Sequence, residues 1–193
     1  MSTRNALREN ARTRALCGPA EGQPELREAI ARRVGLARGV RCSPQDVVVT
    51  NGAQQALALL ARVLVELGST AAVEDPGYPQ AQPILGANGA RVVGVPVDAE
   101  GIVVDAVPPD ARLIYVTPSH PFPLGMPMSE ARRRALLARA SEVCAIVVED
   151  DYDSEFRYEG RPPTRCKAWT TPATSRWWTR SRRRGRPRCG WAT

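Results

Sequence analysis

Lysine is almost missing from this chain of 193 residues: Lys167 is the only one. That excludes lysine amine chemistry, as nucleophile or as proton shuttle, from everything before it. Histidine is as scarce, with His120 alone. One imidazole and scattered thiols do not assemble a nucleophile–base pair. Cys17, Cys42, Cys144, Cys166 and Cys189 are odd in number and lack metal-ligand spacing, which points to free thiols in a reducing cytoplasm rather than a zinc site. No apolar run approaches the ~20 residues of a membrane-spanning helix. Residues 1–15 lack the apolar core of a signal peptide. Tryptophan is absent before position 169, and acidic residues are absent from 161–193. That last stretch carries ten Arg or Lys and all four Trp (Trp169, Trp177, Trp178, Trp191). Of 27 basic and 20 acidic residues, 17 basic and all 20 acidic ones therefore fall in 1–160, a net of −3, although the whole chain is +7. A break this abrupt marks a nucleic-acid-binding tail or a segment not selected as protein.

What is present reads as alternating strands and helices. Pro24 stands at a helix N1 position, with Leu26, Ile30 and Val34 at helical spacing. Residues 47–50 (Val-Val-Val-Thr) read as a strand. Asn51-Gly52 turns it into an Ala/Leu-rich helix expected to run to Leu67 and be ended by Gly68. Further strands are expected at 71–73, 91–97, 112–117 and 145–148. A short helix is expected at 81–86, and a helix over 132–141 capped by Ser129 with its arginines on the wet face. The strands are near-continuous apolar runs, so the expected fold class is α/β, a mainly parallel sheet with helices on both faces. Ligands bind beyond the carboxyl ends of such strands. Polar clusters fall there, after Thr50, Val73, Thr117 and Val148.

Each cluster allows two readings. The turn at 51–55 is an anion cradle at a helix N-terminus, or only a connection. Tyr78, after Pro76-Gly77, is a stacking ring or packing. His120 sits in a proline-stiffened loop, Thr117-Pro118-Ser119-His120-Pro121-Phe122-Pro123-Leu124-Gly125, as a site residue or a structural one. Asp150 and Tyr152 can bond a ring nitrogen and a ring oxygen, or belong to a metal site or solvated acids.

Order and spacing together are more specific. Gly22-Gln23-Pro24-Glu25-Leu26-Arg27, Val48-Val49-Thr50-Asn51-Gly52-Ala53-Gln54-Gln55-Ala56-Leu57 and Glu74-Asp75-Pro76-Gly77-Tyr78-Pro79 are followed by Tyr115-Val116-Thr117-Pro118-Ser119-His120 and Val148-Glu149-Asp150-Asp151-Tyr152-Asp153-Ser154-Glu155-Phe156-Arg157-Tyr158. From position 22 to about 162 the chain resembles the large domain of fold-type I aminotransferases, and most of all the aminotransferase-like domain of MocR-type regulators in the GntR family. The resemblance implies pyridoxal 5'-phosphate as cofactor, with Ala53 and Gln54 at its phosphate and Tyr78 on its ring. Asp150 would pair with the pyridinium nitrogen, Tyr152 with the ring hydroxyl, and the loop at His120 would flank the ring. It further implies a homodimer, an amino-compound effector or substrate, and a cytoplasmic protein with no membrane partner. A winged-helix DNA-binding domain and a small domain would accompany it in relatives and are expected to be absent here. Departures are Cys17 in place of a usual tyrosine, Pro121 in place of a polar residue, and Gln82 where some relatives have arginine.

The family's Schiff-base lysine belongs near position 183, which is Arg183, so no catalytic residue is assigned. The expected organisation is an arm (1–21), a partial aminotransferase-like large domain (22–162) and a basic tail (163–193) translated out of frame. When each codon is built from the third base of one residue and the first two of the next, Trp177–Trp178 forces Val and Trp178–Thr179 forces Asp. Permitted codons let positions 180–184 spell Phe-Ser-Lys-Thr, 165–171 Leu-Gln-Gly-Leu-Asp-Asp and 188–193 Leu-Arg-Leu-Gly-Tyr, which match the family's segments in order. The expected function is a fragment of an effector-sensing or transaminating module, here inactive. The alternative is a nucleic-acid-binding protein using the Trp/Arg tail.

Overall fold

The computed structural model describes residues 18–119 and 123–151. They form four α-helices, α1 (Pro24–Arg38), α2 (Ala53–Leu64), α3 (Ala81–Ala87) and α4 (Glu130–Glu142), around one five-stranded sheet. The strands are β1 (Thr70–Asp75), β2 (Arg91–Asp98), β3 (Gly101–Ile102), β4 (Ala111–Val116) and β5 (Ile146–Glu149), in the order β3-β2-β1-β4-β5. Four strands run parallel, and only the two-residue β3 pairs antiparallel, with the end of β2.

Alternation along the strands builds two cores. Ala71 and Val73 of β1 and Leu113 and Tyr115 of β4 pack against Leu57 and Ala61 of α2 and Ala81 and Leu85 of α3. Ala72, Ile114 and Val116 point the other way, onto Leu136 and Ala140 of α4. Both faces of the central strands are apolar and covered, which is why they read as unbroken hydrophobic runs. Helix ends follow the chemistry of their residues. Gly39 closes α1 in the left-handed conformation, its N–H bonded to the Gly35 carbonyl. The Ser129 hydroxyl accepts from the Arg132 amide to cap α4. Pro83 is tolerated because it lies in the first turn of α3.

Three expectations are corrected. The segment Val47–Thr50 is extended but joins no strand of the sheet: Arg27 Nε donates to the Val47 carbonyl, and the Val49 amide donates to the Glu21 carbonyl. The β-branched residues set the extended conformation, while a side chain satisfies the backbone in place of a ladder. The arginines of α4 do not share a wet face. Arg134 is exposed, Arg132 reaches Asp98 and Glu100, and Arg133 is only 2% exposed. The helix after Gly52, α2, ends at Leu64 rather than Leu67, its Val65 amide bonded to the Ala61 carbonyl, with Gly68 beyond it.

Candidate functional site

β2 and β4 lie on opposite sides of β1, so the winding reverses there, and in such sheets ligands bind beyond the carboxyl ends of the strands, here those of β1 and β4. The chain leaves β1 through Pro76-Gly77-Tyr78. Gly77 is required: a Cβ at that position would collide with the Glu74 carbonyl oxygen. Tyr78 is thereby held half-buried against the α2–α3 core, and Gln54 Nε2 donates to its hydroxyl at 3.4 Å.

Gln54 belongs to the exposed first turn of α2. Gly52 ahead of it has φ +90°, a conformation glycine adopts without strain, and the space beside it is open. No side chain caps this helix end. Gln55 instead turns back to accept from the Asn51 amide at 2.5 Å. The leading amides and the positive end of the helix dipole thus face solvent next to Tyr78.

At the end of β5, Asp150 is anchored by its amide to the Val116 carbonyl. Its Oδ2 accepts a hydrogen bond of 2.6 Å from the Tyr115 hydroxyl. Burial, then the bond to Asp150 and the negative charge around it, push the Tyr115 phenol well above its ordinary range. It stays protonated and can only donate to the carboxylate. On the other face of the sheet Glu74, 3% exposed, accepts from the Thr117 amide at 2.9 Å and the Thr117 hydroxyl at 2.5 Å. Burial raises its carboxyl above the ordinary glutamate range, against the lowering effect of the Thr117 bonds. Arg133 donates to the Pro118 carbonyl at 3.0 Å and lies 3.7 Å from Glu149, tying α4 to the strand ends.

Of the residues expected from sequence, Ala53 and Gln54 open α2, Gln54 bonds Tyr78, and Asp150 bonds Tyr115, while His120 and Tyr152 lie outside the described residues. Lys167 and Arg183 lie outside them too. Sequence reasoning missed Tyr115, Glu74, Thr117 and Arg133. An acidic residue at the end of an apolar strand was the available signal for Glu74. Tyr115 opens one of the stretches that carry the family resemblance, but by periodicity it reads as one more apolar strand position and no role was assigned to it. Among the described residues no group of His, Cys, Asp or Glu is placed to hold a metal, and no helix is long and apolar enough to cross a membrane.

An uncapped helix N-terminus, a half-buried aromatic ring and a carboxylate thus lie at the strand ends of a mainly parallel α/β domain. The chain belongs to the class I and II aminotransferase family, whose model matches residues 2–169. It is 46% identical over 142 residues to the probable rhizopine catabolism regulatory protein MocR of Rhizobium meliloti, covering 73% of this chain and 29% of that protein. To the pyridoxine biosynthesis transcriptional regulator PdxR of Corynebacterium glutamicum it is 40% identical over 144 residues, 75% of this chain and 32% of that one. The Pyrococcus horikoshii kynurenine aminotransferase, solved with PMP, superposes with a TM-score of 0.75 at 32% identity, over 86% of this chain and 44% of that one. The chain spans under a third of the regulators' length and under half of the enzyme's. The sequence reading of family and fold holds.

Proposed function

We propose that this chain binds pyridoxal-phosphate-class ligands without a covalent bond and does not transaminate. The carrying observation is the gathering of the open α2 N-terminus, Tyr78 and Asp150 at one end of the sheet, a donor set that fits the phosphate, ring and ring nitrogen of that cofactor. The amides of Ala53 and Gln54 bind the phosphate, strengthened by the helix dipole. Tyr78 covers the ring, and Asp150 holds a proton on the ring nitrogen. His120 and Tyr152 are assigned to the ring's edge on the family resemblance. When bound, the cofactor supplies an electron-withdrawing ring. The amine that would tether it is what the chain lacks, since Lys167 precedes the expected position by roughly sixteen residues on the family spacing. In longer relatives we assign the module to sensing or transaminating an amino compound.

Equilibrium dialysis of the full chain against pyridoxamine 5'-phosphate tests this reading. Saturable retention is expected, competed by inorganic phosphate and weakened at least about tenfold by Asp150→Ala. No retention would overturn it.

A further inference from the structure

Asp150 is positioned by a residue that touches no ligand in the proposed mode. Tyr115 is buried in the α2–α3 core and is the penultimate residue of β4. β4 and β5 pair in parallel, with Tyr115 opposite Val148, so the Tyr115 ring points along the same face toward Asp150, two residues further on. The hydroxyl closes a 2.6 Å bond to Oδ2 of a half-buried carboxylate. A phenol that donates to a carboxylate makes a short, strong bond and fixes the plane of the acceptor. With Oδ2 taken, Oδ1 is the oxygen left for a ring nitrogen.

We infer that Tyr115 is the positioning residue of the site: through its hydrogen bond to Oδ2 it holds the Asp150 carboxyl in place and aimed, so that the site selects phosphorylated rings carrying a protonated nitrogen over rings without one. This rests on the reading of the site given under Proposed function. Tyr78 does not share the role, because its hydroxyl is engaged by Gln54 on the phosphate side. Nor does Glu74, which spends its bonds on Thr117.

The test compares two probes on the full chain, pyridoxamine 5'-phosphate and benzyl phosphate, which keeps the phosphate and a flat ring but has no ring nitrogen. Tyr115→Phe is expected to weaken pyridoxamine 5'-phosphate about tenfold, as loss of a hydrogen bond to a charged acceptor does, and to leave benzyl phosphate unchanged. Equal weakening of both probes would reduce Tyr115 to a packing residue, and no weakening of either would also overturn the inference. If Tyr115→Phe does not fold, Asp150→Glu keeps the charge but moves it out of reach of Tyr115. The same selective loss is then expected, and an unselective one contradicts the proposal. Failure of the wild-type chain to bind pyridoxamine 5'-phosphate is a different result, which removes the underlying reading and this inference with it.

Discussion

Glu74 and Arg133 are buried ionisable residues near the strand ends, and each makes a separate prediction. Burial holds the Glu74 carboxyl above the ordinary glutamate value of 4.5. The folded state therefore binds this proton more tightly than the unfolded chain. The contribution of Glu74 to stability is greatest at low pH and falls as pH rises from the unfolded value through the raised folded one. Denaturation midpoints measured across that window should decline in the wild type, and the decline should be smaller in Glu74→Gln. Arg133 carries the opposite charge. Removing it as Arg133→Ala strands the Pro118 carbonyl and leaves Glu149 without its guanidinium, at a cost of about 3 kcal/mol in urea denaturation. These two residues show what periodicity misses. An arginine on an amphipathic helix reads as solvated, and only the tertiary fold shows that the helix points it at the strand ends.

Helices and parallel strands were legible from the chain because their signals are local: Pro24 and Gly39 bracket α1, Ser129 opens α4, and apolar runs mark β1, β4 and β5. Ser129→Ala should accordingly cost about 1 kcal/mol in thermal or chemical melts. Val47–Thr50 was misread because β-branched residues dictate an extended conformation and say nothing about a partner, which here is Arg27 and Glu21. β3 was missed because two residues carry no periodicity. Site residues divide in the same way. Ala53, Gln54, Tyr78 and Asp150 lie at element ends where motif order points to them. Tyr115 lies within a strand, where only its hydroxyl's reach to β5 gives it a role. Gly77 makes the element-scale prediction for the site: Gly77→Ala should push the turn away from Glu74 and displace Tyr78, lowering affinity for pyridoxamine 5'-phosphate more than thermal stability.

Across the whole molecule, the apolar surface and the tail set the behaviour. Leu67 is 93% exposed and Val63 67%, with Leu59 and Leu60 also exposed on α2. Patches of this kind favour self-association, so the full chain should sediment as aggregates that Val63→Lys reduces. We propose that the tail from 163 is an out-of-frame reading. Resequencing the DNA for residues 160–193 should yield a frame spelling Phe-Ser-Lys-Thr, whereas an absence of that lysine in every frame would make the tail genuine protein and bring forward nucleic-acid binding. The central claim is a cofactor cradle without a tether. Its most direct test is to incubate the full chain with pyridoxal 5'-phosphate, reduce with borohydride and map adducts by peptide mass spectrometry. The prediction is that non-covalent retention of pyridoxamine 5'-phosphate coexists with no stoichiometric adduct on Lys167. A single stoichiometric adduct there would show that Lys167 reaches the cradle and would contradict the account.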